Sequence, residues 1–260
     1  MGEAKALVLR PIKASEANAL VRRVHYSGKV VNNSQLHIGV FWNGRLEGAM
    51  QFGPPLDKRK IAGLVRGSQW HNFMELNRMA FGEALPRNGE SRALGVAFRL
   101  LRKHAPQVKW VVSFADATQC GDGTIYRASG FLLTGIKENN QIWRLPDGTT
   151  VSRTTMTKAQ HVSRTGGAAS MSAVIADGGK PIPGYQFRYV RFIDPTWADR
   201  LTVPVIPFDQ IPDECRMYRG EKMTRAGSSE PPGHPPEVGG AAPTPALHLP
   251  PDDTGGPCPS

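Results

Sequence analysis

Residues 111–131 read VVSFADATQCGDGTIYRASGF, and the parsing of this stretch decides what kind of sheet the chain builds. Residues 108–115, VKWVVSFA, are almost continuously apolar, as in a strand covered on both faces. Asp116 stands at the end of that run, and Gly121 and Gly123 then break the chain. Residues 122–129 read as a short helix with Tyr126 near its start, stopped by Gly130. FLLTGIK then resumes as strand. A strand running into a glycine-broken loop and a short helix can place a ligand at the strand end. The same pattern also describes an ordinary strand-to-helix turn.

Working outward, strand and helix signals alternate without a serial βαβ repeat, which predicts an α+β domain on a mixed sheet. ALVLRPI reads as a first strand, and Ser15 as the N-cap of a helix running through Ala19, Leu20 and Val24 and ending near Ser27-Gly28. Two apolar runs flank Asn43-Gly44, the strongest short hairpin signal. FMELNRMAF (73–81) reads as a strand with Phe73, Glu75, Asn77, Met79 and Phe81 on one face and Met74, Leu76, Arg78 and Ala80 on the other. Residues 91–105 form the clearest helix, with Leu94, Ala97, Phe98, Leu101 and Ala105 along one stripe. NQIWRL closes at the Asp147-Gly148 turn, residues 160–184 read as an insertion, and YQFRYVRFI and LTVPVIPF read as final strands. Residues 226–260, rich in Pro and Gly with few bulky side chains, read as a disordered tail. The expected domain is therefore 1–225.

Of 260 residues, 40% are hydrophobic, enough for one substantial core, and the net charge is +10. The tail contains no Lys or Arg but four acids, Glu230, Glu237, Asp252 and Asp253. The body thus sets 32 basic against 18 acidic side chains, a net +14, and favours a polyanionic partner or substrate. Cys120, Cys215 and Cys258 show neither metal spacing nor a paired framework, which predicts a reducing compartment. With no signal-like apolar core and no membrane-length apolar run, a cytoplasmic location is expected.

Several residue groups could carry chemistry. The turn Arg87-Asn88-Gly89-Glu90-Ser91-Arg92 opens the long helix, and a helix N-terminus is a ready anion site. Arg87 and Arg92 can add phosphate contacts. The bland alternative is a capped helix with Ser91 as N-cap. Tyr126 is the candidate general acid, or a core tyrosine packed on Phe131. Asp116 could accept a proton from an attacking amine, or serve as a turn aspartate. Ser113 could orient a donor or satisfy only its own hydroxyl. Asn77 and Arg78, as strand neighbours, should face opposite ways, with Asn77 toward the cleft; a buried polar network is the alternative. Lys58, Arg59, Lys60 and Arg66, in a long loop, are candidates for nucleic-acid backbone contacts, and Trp70 for stacking on a base. Arg216, Arg219, Lys222 and Arg225 make a second basic patch, or a solvated linker. His25, Tyr26, His37 and His71 could handle a base or ligate metal. No pair has metal-ligand spacing, so no metal is expected.

FMELNRMAF, LPRNGESRALG (85–95), WVVSFAD (110–116) and GDGTIYRASGF (121–131) together resemble the core of the GNAT acyltransferases. The resemblance implies a mostly antiparallel mixed sheet flanked by helices, with a cleft beside a splayed strand. It also implies an acyl-coenzyme A, acetyl-CoA being suspected, whose pyrophosphate sits at the long helix's N-terminus near Arg87, Gly89, Ser91, Arg92 and Gly95. HYSGKVVNNSQLHIGVF (25–41), GAMQFGPPLDKRKIAGLVRGSQW (48–70) and FMELNRMAFGE (73–83) resemble the Mom family of phage DNA-modification proteins. That likeness covers roughly residues 20–210. It implies a transferase that converts the adenine exocyclic amine in DNA to a carbamoylmethylated form, so blocking host restriction. An acetyl group holds no amide nitrogen, so a glycine-derived donor such as an aminoacyl-tRNA stays open beside acetyl-CoA. A GNAT acting on a protein amine or transfer RNA, and a non-catalytic DNA-binding module, are the competing readings.

Overall fold

The computed structural model of the chain describes residues 2–117, 123–139, 142–148, 150–152, 171–176, 178–215, 217–218 and 221–222. The chain enters as β1 (Val8–Pro11) and α1 (Ala14–Val24). Lys13, not Ser15, is the N-cap of α1. The Lys13 N–H donates to Glu16 Oε2 at 2.9 Å while its carbonyl accepts from the Glu16 N–H at 3.1 Å. The reciprocal pair satisfies backbone groups at the helix start without a cap hydroxyl. The hairpin follows as expected, β2 (Leu36–Trp42) and β3 (Arg45–Gly53), with Asn43 and Gly44 at φ 49° and 77°. That turn geometry matches the twist of paired strands.

The long loop after β3 holds a short helix, α2 (Lys58–Ala62), capped by the Asp57 carboxylate accepting from the Lys60 N–H at 3.2 Å. Then come β4 (Phe73–Phe81), α3 (Gly89–His104), β5 (Trp110–Asp116), α4 (Thr124–Ala128) and β6 (Leu132–Glu138). Between β6 and the last long strand, β7 (Ile142–Arg144), β8 (Thr150–Ser152), α5 (Met171–Ala176) and β9 (Lys180–Pro181) form an excursion with its own three-stranded sheet. Finally β10 (Tyr185–Phe192) inserts between β5 and β6. The main sheet runs β1-β2-β3-β4-β5-β10-β6, antiparallel throughout except for β4 against β5. This is the mixed, mostly antiparallel α+β sheet that the sequence predicted.

Helices cover both faces. Ala93, Leu94, Ala97, Phe98 and Leu101 of α3 join Met50, Phe52, Leu76, Val111 and Ala115 in the main core. Opposite, Ala17 and Leu20 of α1 pack on Ala49, and Ile61 of α2 packs with Phe73, Trp110 and Val112. Residues 201–208, expected as a strand, make only a single bridge, Leu201 to Val65. Pro204 and Pro207 lack the N–H groups a ladder needs. The segment instead lays Phe208 over Tyr189, ring centroids 6.2 Å apart.

The alternation expected along β4 holds only to Leu76. Phe52 pairs with Leu76 and Gln51 with Arg78, so Asn77 is an extra, bulged residue. Beyond it the faces exchange: Met79 and Phe81 pack on the α3 side with Met74 and Leu76. Arg78 and Ala80 turn to the α1 side, opposite Gln51 and Ala49. A one-residue bulge does this because the side-chain period is two. Among the described helices, none is long and apolar enough to cross a membrane. Residues 226–260, Cys120, Cys258, Arg216, Arg219 and Arg225 lie outside the described residues.

Candidate active site

Strands β4 and β5 are parallel neighbours only from Phe73–Trp110 to Leu76–Ser113. Past that point β4 stays with β3 as far as Phe81, and β5 stays with β10 as far as Asp116. The two halves of the sheet therefore part, leaving a slot whose apex is Leu76 and Ser113. The bulge at Asn77 marks where β4 turns away.

At the apex Ser113, 1% exposed, donates to the Leu76 carbonyl at 3.1 Å and lies 3.1 Å from the Tyr126 hydroxyl. A serine has one proton. With that proton on Leu76, the phenol donates to Ser113. Tyr126 belongs to the α3-side core and is 8% exposed. Its ring stacks on Tyr189 at 4.4 Å and 1°, with Phe131 edge-on at 5.2 Å. Gly123 makes this possible: its φ is +80°, and a Cβ there would overlap the Tyr189 hydroxyl. The two roles considered for Tyr126, core ring and hydroxyl at a cleft, thus coincide in one side chain.

The opposite mouth of the slot is polar. Glu75, Asn77 and Arg78 share it, so Asn77 and Arg78 are not on opposite faces; the bulge brings them together. Asn77, 7% exposed, accepts from Ser34 Oγ at 3.2 Å. Arg78 donates through Nε to the Lys29 carbonyl at 3.1 Å and through Nη1 to the Asn77 carbonyl at 2.9 Å. Burial pushes the Glu75 carboxyl above its usual range, while the Asn77 hydrogen bond and the Arg78 charge pull the other way. His25 is held neutral, pushed down to about 4 by burial and then by Arg78. His37 is lowered by burial and lies 3.3 Å from Gln51 Nε2 through its Nδ1. Asp116 shares strand parity with Val112 and Phe114, which pack on the α2 side, so it faces this mouth and not Tyr126. Glu75 escaped the sequence reading as a site residue. Its signal was an acid inside a strand, two residues before the polar pair Asn77-Arg78.

On the α3 side the helix N-terminus opens onto a surface pocket of ≈ 420 Å³ lined by Lys5, Arg87, Asn88, Ser91, Arg92, Gly95 and Arg99, among others. Ser91 is not the N-cap. That position is Asn88, in left-handed conformation at φ 62°, and Ser91 Oγ donates back to the Asn88 carbonyl at 3.2 Å. Asn88 makes no side-chain cap bond. Among the described residues, none of Lys5, Arg87, Arg92 and Arg99 pairs with a carboxylate. A Cβ on Gly95 would meet only Arg99 Nη1, at 3.9 Å, so the glycine keeps the pocket floor open. Gly89, by contrast, is buried against Leu85, Pro86 and Leu7. Clustered cations, a helix N-terminus and an open glycine floor suit a phosphorylated donor such as a coenzyme A.

The basic loop lies on the α1–α2 side. Lys58 Nζ sits 5.0 Å over the Trp70 ring, and Lys60 pairs with Asp57 at 3.2 Å. Arg59 and Arg66 are exposed. Trp70, 64% exposed, precedes the paired end of β4. It therefore stands away from the slot, and the structure does not bring it to Tyr126.

The Mom protein family matches residues 6–210. The Methylcarbamoylase mom of Escherichia phage Mu is 34% identical over 212 residues, covering 80% of this chain and 84% of that protein. Among solved structures, the ribosomal-protein-S18-alanine N-acetyltransferase of Escherichia coli aligns over 72% of this chain and 94% of its own, at 13% identity and a TM-score of 0.42. A GNAT-family acetyltransferase from Streptococcus pneumoniae aligns over 72% and 98%, at 13% identity and a TM-score of 0.40.

Proposed function

Because the chain belongs to the Mom protein family, we propose that it is a DNA-modification transferase acting on the exocyclic amine of adenine. The product is the carbamoylmethylated base, and its use is to keep phage DNA from restriction. The observation that carries the reading is the slot between β4 and β5, with a buried phenol at its α3-side mouth and a polar cluster at the other. Two reactants can then meet from opposite faces of one sheet.

The donor takes the α3 side, its phosphates on Lys5, Arg87, Arg92 and Arg99. A bound acyl-coenzyme A would supply an activated carbonyl and a thiolate leaving group. Tyr126 protonates the leaving group. To do so the phenol turns its proton from Ser113 into the slot, and Ser113 turns its own from Leu76 to the phenol oxygen. The acceptor takes the polar side. Glu75, its carboxyl raised by burial, removes the amine proton, and Asp116 stands on the same side of the sheet, four residues past the Val112 that pairs with Glu75. Asn77, fixed by Ser34, orients the base. Because the adenine amine is paired inside a duplex, the base must leave the stack to reach this mouth. Lys58, Arg59, Lys60 and Arg66 suit the backbone phosphates.

Attack on an acetyl thioester would bond the adenine nitrogen to a carbonyl carbon, whereas the carbamoylmethyl product bonds it to a CH2 that carries an amide, so acetyl transfer alone supplies neither that linkage nor the amide nitrogen. An aminoacyl-tRNA is therefore the second donor. Thermal shifts with coenzyme A and with charged transfer RNA separate the two. The function itself is tested by digesting DNA from expressing cells and analysing its nucleosides by mass spectrometry. Modified deoxyadenosine is expected; unmodified deoxyadenosine alone, or label on protein instead of DNA, would overturn the reading.

A further inference from the structure

Leu56 is 93% exposed, well beyond any other large apolar side chain on the described surface. Lone exposed leucines are common, but this one is held in place. On one side Pro54 accepts from Asn33 Nδ2 at 2.6 Å, and Pro55 is buried. On the other, Asp57 caps α2 through the Lys60 N–H. The leucine is thus the tip of a stiff turn. Its location is specific as well. Gly53 pairs with Glu75, and a Cβ on Gly53 would stand 2.8 Å from Asn77 Oδ1. Leu56 follows three residues later, so it lies within about 11 Å of the polar mouth along the backbone. Lys58, Arg59 and Lys60 come directly after it.

Two other large side chains on this side are also exposed, and both are already engaged. Tyr26 stacks on His25 at 4.3 Å, and Trp70 carries Lys58 at 5.0 Å on its face. Leu56 alone combines full exposure, a rigid base and flanking cations. Extruding a base leaves a gap in the stack, and apolar wedges such as leucine lower the cost of unstacking.

Resting on the adenine reading above, we propose that Leu56 is a wedge that enters the DNA duplex where the target adenine leaves it, while Lys58, Arg59 and Lys60 hold the adjoining phosphates. It makes the enzyme competent for duplex DNA without touching the transfer chemistry.

The test uses the full chain and a duplex spanning a site that the wild-type protein modifies in cells, with 2-aminopurine at the target position. Wild-type protein should raise 2-aminopurine emission as the base is extruded. Leu56→Ala should lose that rise and cut modified deoxyadenosine in cellular DNA by roughly tenfold or more, with an unchanged melting temperature. Leu56→Phe should retain most of both. Placing the 2-aminopurine opposite an abasic site, where it is already unpaired, should restore emission to Leu56→Ala. The wedge is overturned if Leu56→Ala modifies cellular DNA like wild type, or if its emission is equally lost on paired and unpaired targets. If the wild-type protein itself modifies no deoxyadenosine, the adenine reading has failed, a result distinct from failure of the wedge alone.

Discussion

Tyr126→Phe removes one hydroxyl and leaves the stack on Tyr189 intact. The lost hydrogen bond to Ser113 costs about 1 kcal/mol of stability, whereas loss of a general acid costs about 10²–10⁴-fold in rate. Modified deoxyadenosine should fall steeply while the melting temperature barely moves; a retained yield would reduce Tyr126 to a core ring. Gly123→Ala should behave the other way. Positive φ together with overlap on Tyr189 should cost on the order of 2–4 kcal/mol, a melting drop of roughly 5–15 °C. His25 gives a pH signature. Its folded pKa of about 4 lies below the ordinary 6.5, so the neutral form is the one folding favours. Its contribution is full above about pH 6.5 and is lost as pH falls toward 4, amounting to at most about 3 kcal/mol. His25→Gln should flatten the dependence of melting temperature on pH across that window.

At the level of elements, α3 makes a prediction that separates stability from binding. Gly95→Leu supplies a better helix former, worth about 0.5–1 kcal/mol, but puts a side chain on the pocket floor. The variant should melt no lower than wild type yet lose coenzyme A binding by calorimetry; full binding would move the donor away from this helix end. The elements also show what the sequence reveals. Asn43-Gly44 announced its hairpin because few residues accept paired positive φ, and α3 and β5 were legible from periodicity and continuous apolarity. The bulge at Asn77 was not legible, since an inserted residue leaves no mark on composition, and Glu75 became a candidate only once Arg78 joined Asn77 on its side. Residues 201–208 misread as a strand because apolar β-formers outweighed two prolines. The slot was implied by resemblance, but its apex at Leu76 and Ser113 came only from the register.

For the whole molecule, charge is the dominant long-range property. A body of net +14 should bind duplex DNA with an affinity that falls steeply with salt, by a log–log slope of about −0.9 per phosphate contacted. Replacing Lys58, Arg59 and Lys60 together by alanine should make that slope shallower by about 2–3 units; an unchanged slope would place the DNA elsewhere. The sheet order has a different consequence, in time. β5 ends at Asp116, but its outer partner β10 begins only at Tyr185. A ribosome adding about 5–20 residues per second leaves that edge unpaired for several seconds, with Tyr126 lacking the ring it stacks on. The nascent enzyme is therefore inactive and prone to strand-pairing with neighbours until nearly the whole body has emerged. Chains stopped before residue 185 should be found in aggregates and not as a slower enzyme.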